Sequence, residues 1–202
     1  MRRAFWQLFT RKQTSIGSAA VVLALMVLTS RFLGLIRDRL LAARFSPEEL
    51  GVYFAAFRLP NLLFELLVMG AFTSAFIPVF TRYLTQNKED EAWRMASIII
   101  NLSLLLLVLL AVPLFIWTEG ISRVFAPGFS DEQIKLMAQF TRVILVLQVA
   151  PLLVGNFFTG ILQSFKSFLI PALAPVLYNI GIILGIVFLS SPFGLFAPVI
   201  GI

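Results

Sequence analysis

The chain has 202 residues, of which 59% are hydrophobic and 13% are charged, with a mean hydropathy of +0.96. Soluble domains carry about 45–50% apolar residues, so this composition excludes an ordinary soluble domain and predicts a polytopic membrane protein. The chain contains no cysteine and no histidine, which excludes disulfides and thiolate metal sites and removes the commonest general base. The net charge of +6 is scattered between apolar segments, so we expect it to set membrane topology rather than to bind nucleic acid, and we expect no cofactor.

Five apolar segments are each long enough to cross a hydrocarbon core, which needs about 20 helical residues. They cover residues 16–36, 50–81, 95–117, 134–163 and 168–191, and a sixth segment begins near Phe193. The sequence therefore predicts an all-α helical bundle of five complete transmembrane helices plus the start of a sixth. We expect residues 1–202 to form one incomplete transmembrane lobe of a longer protein.

Basic residues between the predicted spans indicate the orientation in the membrane. The residues that mark the cytoplasmic side are Arg2, Arg3, Arg11, Lys12, Arg82, Lys88, Arg94 and Lys166, whereas the opposite side holds only Arg123 and Lys135. The sequence thus predicts a cytoplasmic N-terminus.

The stretch "SRFLGLIRDRLLAARF", residues 30–45, breaks this charge rule. It places Arg31, Arg37, Arg39 and Arg44 at the end of the first span that should lie away from the cytoplasm. One interpretation is that these arginines reach the interface or pair locally with Asp38, Glu48 and Glu49. A second interpretation is that they line a water-filled cavity and bind an anion. On a continuous helix Arg37 and Arg44 share nearly the same face, and Gly34 is a candidate position for a bend or a break in that helix.

The second span, "FRLPNLLFELLVMGAFTSAFIPVF", also contains polar residues, namely Arg58, Asn61 and Glu65. Glu65 either pairs with a cation on a neighbouring helix or takes part in transport directly. Kinks are expected at Pro60, Gly70 and Pro78, where neighbouring groups can satisfy the freed carbonyls.

The later spans carry polar residues for which we predict hydrogen bonds between helices: Asn101, Gln148, Asn156, Gln163 and Asn179. Arg142 is either an interface anchor or a further cavity cation. Gly181 and Gly185 form a GxxxG pattern that predicts close helix packing.

The stretches at 30–45 and 57–80, with "FAPGF" at 125–129 and "IPALAPVLYNIG" at 170–181, resemble the N-terminal lobe of the MurJ/MviN lipid II flippases in order and separation. The resemblance covers essentially the whole chain. It implies two six-helix lobes around a central cavity, with two further helices, so that the C-terminal lobe would be missing here. It also implies that Arg31, Arg37 and Arg58 take the positions of cavity arginines that hold the pyrophosphate of a lipid-linked precursor.

The resemblance implies a flippase of the bacterial cytoplasmic (inner) membrane that serves peptidoglycan biosynthesis. It would move a polyprenyl-diphosphate-linked precursor by alternating access, breaking no bond, with the lipid-linked saccharide, membrane lipids and the missing lobe as partners. The predicted substrate-binding residues are Arg31, Arg37, Arg58, Asn61 and Glu65. Phe64 and Met69 depart from polar positions of the family pattern, so a related lipid-linked saccharide is an alternative substrate. A drug exporter and a noncatalytic membrane scaffold are competing hypotheses, and a membrane enzyme is the one least favoured by the residues.

Overall fold

The computed structural model describes residues 16–68, 72–165 and 167–201, and within these ranges the chain forms helices and turns and no strand. The predicted all-α class is thereby confirmed. The predictions for the N-terminal tail, Gly70 and Lys166 lie outside the described residues.

Helix α1, Ile16–Arg44, is longer than the predicted first span and runs unbroken through Gly34. The candidate break at Gly34 is therefore not found, whereas a bend there stays a prediction, and the four arginines lie on the helix itself. Helix α2, Pro47–Ala56, begins at once because Ser46 caps it. The Ser46 hydroxyl accepts from the Glu49 N–H at 3.2 Å, and the Glu49 carboxylate accepts from the Ser46 N–H at 2.8 Å.

The predicted second span is divided into shorter helices. Helix α2 is followed by α3, Arg58–Val68, and then by α4, Phe72–Thr85. Phe57 separates helices α2 and α3. The segment long enough to cross a membrane here is Pro47–Leu67, whereas the sequence predicts 50–81.

The middle of the chain contains one long apolar helix and one helix with a π bulge. Helix α5, Glu89–Ile116, follows a turn in which Asn87 has a φ of 57°, a left-handed conformation that asparagine tolerates. Helix α6, Thr118–Phe125, is short, and α7, Asp131–Ile144, continues through a π turn at Leu145–Val149 into α8, Ala150–Ser164. Pro151 has no N–H to donate to the Leu147 carbonyl, so the wider π spacing falls where an α-helical bond cannot form.

The last segment reverses direction. Helix α9, Leu169–Leu184, passes through a second π turn at Gly185–Leu189 into α10, Ser190–Phe193. Gly194 then has a φ of 52°, and a 3₁₀ turn leads to α11, Ala197–Ile200. The backbone of residues 197–201 lies so close to α9 and its π turn that a Cβ at Gly181 or Gly185 would clash with a carbonyl oxygen. This confirms the close packing predicted for the GxxxG pattern.

Four helical segments of the described chain are long and apolar enough to cross a membrane: Pro47–Leu67, Glu89–Ile116, Asp131–Ser164 and Leu169–Ile200. The chain is a polytopic membrane protein, as predicted, while the count of five complete spans stays a prediction.

Two apolar clusters hold the bundle together. One joins the end of α1 to α2, α7 and the last segment around Met137 and Phe140. The other joins α3, α4, α5 and α8 around Phe76, Phe80 and Phe157, whose rings stack or meet edge to face. Between these clusters, α1 packs mainly along α9, and this contact positions the polar site described next.

Candidate functional site

Arg37 lies on the stripe of α1 that packs against α9. The less exposed residues of α1 recur every three or four positions, as Leu23, Met26, Ser30, Leu33, Gly34, Arg37, Leu40 and Leu41. This spacing is that of one helix face. A guanidinium is therefore placed in a row that otherwise carries apolar or small side chains.

The Arg37 guanidinium is held from two sides. Its Nη1 donates to the Asn179 side-chain oxygen at 3.0 Å, and its Nε and Nη2 donate to one carboxylate oxygen of Asp38 at 2.9 and 2.8 Å. The Arg37 side chain is only 25% exposed, whereas that of Asp38 is 53% exposed. A guanidinium has five N–H donors, so two of them remain without a partner among the described residues.

Asn179 fixes the position of Arg37 through its own hydrogen bonds. Its amide nitrogen donates to the Ser30 hydroxyl at 3.1 Å, the Ser30 carbonyl at 3.2 Å and the Pro175 carbonyl at 3.0 Å. The Pro175 bond ties the amide to its own helix, and the Ser30 bonds tie it to α1. Asn179 is 6% exposed, so its amide is fixed in the buried contact between α1 and α9 and holds the guanidinium in one orientation.

A second polar contact lies next to Asn179 on α9. The Gln148 amide, in the first π turn, donates to the Tyr178 hydroxyl at 3.4 Å, while its buried oxygen has no partner within the described chain. Tyr178 directly precedes Asn179 on α9 and packs against the apolar cluster that contains the buried Tyr53. Sequence reasoning missed both tyrosines, although two of the three tyrosines of this chain fall within predicted apolar spans.

Arg58, Asn61 and Glu65 share one face of α3. All three are exposed, whereas Leu59, Pro60 and Leu63 on the other face are buried. The structure thus brings together three of the five predicted site residues in a polar stripe, here called the α3 stripe. None of the three forms a hydrogen bond or ion pair through its side chain with another described residue, so the predicted partner for Glu65 is not found there.

The start of the α3 stripe is fixed by a proline and a threonine. Pro60 has no N–H to donate to the Ala56 carbonyl, which is the α-helical acceptor four residues earlier. The buried Thr141 hydroxyl of α7 donates to that carbonyl at 3.1 Å. The sequence predicts that a neighbouring helix supplies a donor to the carbonyl freed by Pro60, and Thr141 is that donor.

Arg31 is separated from Arg37 on the helix surface. It precedes Arg37 by six residues, which places it about 120° around α1, and it is exposed. Among the described residues, no hydrogen bond or ion pair joins Arg31, Arg37 and Arg58 to a common group. Their convergence on one ligand therefore stays a prediction.

The remaining arginines serve different contacts. Arg44 donates to the Ser190 hydroxyl at 3.0 Å, so it faces the same segment as Arg37, as their spacing predicts. Arg142 donates to the Phe115 carbonyl at 3.2 Å and lies 5.7 Å from the Phe115 ring centroid. This contact, at the C-terminus of α5, favours the anchor interpretation of Arg142 over a cavity cation.

The hydrogen bonds predicted between helices are confirmed for Gln148 and Asn179. Asn156 instead donates to the Leu152 carbonyl of its own helix at 3.2 Å. Asn101 and Gln163 form no hydrogen bond through their side chains with other described residues. Local pairing of the α1 arginines with acidic residues is confirmed for Asp38, whereas Glu49 is engaged in the cap of α2.

Comparison with known proteins identifies the relatives of this chain. The family model described as lipid II flippase MurJ matches residues 46–202. A probable lipid II flippase MurJ of Buchnera aphidicola subsp. Acyrthosiphon pisum is 34% identical over 86% of this chain and 34% of its own length. The lipid II flippases MurJ of Thermosipho africanus and Burkholderia cenocepacia are 32% and 33% identical over 93% and 81% of this chain. These matches cover 38% and 32% of the two relatives, so the chain spans about a third of the length of its curated relatives.

Proposed function

Because this chain belongs to the lipid II flippase MurJ family, we propose that it takes part in moving a polyprenyl-diphosphate-linked saccharide of the lipid II type across the bacterial cytoplasmic membrane. The product would serve peptidoglycan synthesis on the far side. No bond of the lipid is made or broken, and no cofactor takes part. The N-terminus faces the cytoplasm in this proposal.

The observation that carries the proposal is the held guanidinium of Arg37. A phosphate oxygen accepts charge-assisted hydrogen bonds from a planar guanidinium, and arginine is weakly hydrated, which lowers the cost of placing it away from bulk water. Asn179 orients Arg37 without neutralising it, because a side-chain amide carries no charge. The two N–H donors that lack partners are then available to a diphosphate.

The exposed Asp38 carboxylate forms an ion pair with Arg37 when no lipid is bound. It accepts two of the guanidinium N–H groups through a single oxygen. A diphosphate carries more negative charge and more acceptor oxygens than a carboxylate, so it can share or replace this partner. Asp38 therefore neutralises the positive charge of Arg37 during the part of the transport cycle in which no lipid is bound.

The α3 stripe supplies a second set of groups for the same lipid. Arg58 adds a cation for the diphosphate, while Asn61 and Glu65 offer an amide and a carboxylate to hydroxyl or amide groups of the saccharide. Charged residues within a membrane-length segment are costly when they face lipid, so an aqueous cavity is the favoured environment for this exposed stripe. Arg31 would join from the neighbouring face of α1.

Transport itself would follow alternating access. The polyprenyl chain stays in the lipid phase while the diphosphate and saccharide cross through the cavity, and two lobes rock around the bound headgroup. The second lobe corresponds to the part of the relatives that this chain does not cover. A related diphosphate-linked saccharide is the alternative substrate, and it would use the same arginines.

The proposal is tested by headgroup translocation in proteoliposomes that contain the full-length protein and a labelled polyprenyl-diphosphate saccharide. Arg37→Ala should remove translocation, because the diphosphate loses its oriented cation. Arg39→Ala is the matched control, since Arg39 is exposed on the nearly opposite face of the same helix and has no described partner.

Translocation that survives Arg37→Ala and Arg58→Ala at the rate of Arg39→Ala would refute the proposed role of the arginines. An absence of translocation by the parent protein, with intact binding of the lipid, would favour a noncatalytic scaffold.

A further inference from the structure

Helix α5 has an exposed tryptophan near each end. Trp93 is 47% exposed and Trp117, directly after the helix, is 62% exposed. Twenty-four residues separate them, which corresponds to about 36 Å along an α-helix. A hydrocarbon core is about 30 Å thick, and tryptophan is enriched at both of its interfaces with water. The two side chains therefore mark the two membrane interfaces crossed by α5.

Helix α6 starts directly at the interface marked by Trp117, and its residues divide into three faces. Trp117, Ile121 and Val124 fall within a strip about 60° wide, with Val124 77% exposed. Thr118 and Ser122 are buried on a second face, and α6 packs mainly against α7.

The third face of α6 is polar, and its arginine pairs with a carboxylate of α6 and with the first residue of α7. Arg123 contacts Glu119 at 3.5 Å and donates to Asp131 at 2.6 Å. Arginine is charged at any physiological pH, and the hydrogen bond to Asp131 raises the pKa of Arg123 further. An amphipathic helix with these faces is typical of segments that lie in the plane of a membrane interface.

We propose that α6 lies in the membrane interface and inserts Trp117, Ile121 and Val124 among the lipids. This apolar strip, in which Trp117 and Val124 are exposed and Ile121 is partly buried, continues the exposed apolar surface of α5, which ends at Phe115 and Ile116. This surface role is independent of the lipid that the protein transports.

Apolar insertion, rather than attraction to anionic headgroups, holds α6 on the lipid. Residues 118–135 contain three acidic residues, Glu119, Asp131 and Glu132, and two basic ones, Arg123 and Lys135, which gives two minus three, or a net charge of −1. Interfacial helices that depend on anionic lipids carry an excess of lysine and arginine on their polar face, and this segment does not.

The test places a single spin label on either side of α6 and measures its exposure to oxygen, which concentrates in lipid, and to a water-soluble nickel chelate. The variants are Val124→Cys, on the apolar strip, and Glu119→Cys, on the polar face, in the chain reconstituted into lipid nanodiscs. The 202 residues contain no native cysteine, and both positions are substantially exposed, so neither label requires repacking.

We expect the label at Val124 to lie about 5–10 Å inside the phosphate level, with high oxygen and low nickel exposure. The label at Glu119 should be exposed to the nickel chelate. Both values should be unchanged when the nanodisc lipid is changed from zwitterionic to partly anionic.

Strong nickel exposure at both positions would place α6 in water and overturn the proposal. Low exposure to both reagents at Val124 would mean that protein covers the strip, which would also overturn it. A label at Val124 that reaches lipid only in anionic nanodiscs would contradict insertion by apolar contact alone.

Discussion

At the residue scale, two partners hold Arg37. Asn179 lies 142 residues away in the sequence, and Asp38 is the next residue. A partly buried guanidinium is costly unless its donors are satisfied, and here a neutral amide and a carboxylate satisfy three of them. Asn179 is the partner that stabilises the fold, because it is more deeply buried than Asp38 and because both N–H groups of its amide donate hydrogen bonds. Losing it would leave both Arg37 and Ser30 without a buried partner.

We expect Asn179→Leu to lower the free energy of unfolding by about 1–3 kcal/mol, the cost of removing one partner of a buried hydrogen bond to a charged group. Binding of a diphosphate lipid should fall as well, since Arg37 loses its orientation. The measurement is thermal or denaturant unfolding in detergent, followed by lipid binding.

Asn156→Leu is the matched control, because Asn156 is partly buried but bonds only to its own helix. Equal effects of the two leucine variants on lipid binding would contradict the positioning role of Asn179.

The sequence predicts individual polar residues of the site better than it predicts their partners. Asn179 and Gln148 are predictable as hydrogen-bonding residues because an amide inside an apolar span must find a partner. The choice of partner depends on which helices become neighbours, and Ser30 and Arg37 belong to a helix at the other end of the chain. Asn156 bonds within its own helix because a carbonyl four residues earlier is within reach, an outcome that composition does not distinguish.

At the element scale, the interruption between α2 and α3 depends on one buried hydrogen bond. Pro60 leaves the Ala56 carbonyl without its helical donor, and the Thr141 hydroxyl replaces it. The bond also fixes α7 against this span at the point where the α3 stripe begins. The presence of a proline predicts that a carbonyl is freed, while the identity of its donor follows only from the packing of α2 on α7.

We expect Thr141→Val to lower the free energy of unfolding by about 1–3 kcal/mol. Valine matches threonine in volume but has no hydroxyl, so the buried Ala56 carbonyl loses its donor. The decisive comparison repeats the substitution in a Pro60→Ala background, where the restored N–H can satisfy the Ala56 carbonyl. Thr141→Val should then cost clearly less. The same cost in both backgrounds would mean that the hydroxyl does not compensate for the proline.

The contact between α9 and the last segment requires glycine. We expect Gly181→Ala to destabilise the protein by about 1–3 kcal/mol, the usual cost of overpacking, because its Cβ would meet the Gly201 carbonyl oxygen. Gly155→Ala is the control, since a Cβ there has open space and alanine favours a helix over glycine by about 1 kcal/mol. Unfolding that responds alike to both substitutions would exclude the close contact.

At the scale of the whole molecule, α5 is long and apolar enough to cross a membrane, and we expect the turns at its two ends to lie on opposite sides. Its 28 residues extend about 42 Å, from the turn at Gln86 and Asn87 to the start of α6. The all-α class and the presence of several membrane-length helices are predictable because hydrophobic length is a property of sequence alone. The division of the second span and the extension of α1 to Arg44 are not, since both depend on which polar groups the packed bundle satisfies.

We expect single cysteines at Gln86 and Gly128 to differ in labelling by a membrane-impermeant reagent in intact cells. Gly128 should be labelled from outside and Gln86 only after permeabilisation, because the basic residues around 82–94 favour the cytoplasm. A Cβ at Gly128 has open space, so the substitution does not require repacking. Outside labelling at Gln86 alone would reverse the proposed orientation, and outside labelling at both would contradict a membrane-spanning α5.

The most direct measurement of the central claim is binding of a polyprenyl-diphosphate saccharide to the full-length protein by native mass spectrometry, with an uncharged polyprenol as comparator. Arg37→Lys keeps the charge but loses the planar fork that Asn179 orients, so affinity for the diphosphate lipid should fall by about 1–3 kcal/mol, or roughly 5- to 150-fold, with Arg39→Lys unchanged. Affinity for the polyprenol should not respond to either substitution. If Arg37→Lys and Arg37→Ala both bind the diphosphate lipid as tightly as the parent protein, Arg37 is a structural anchor between α1 and α9 and not a substrate-binding residue.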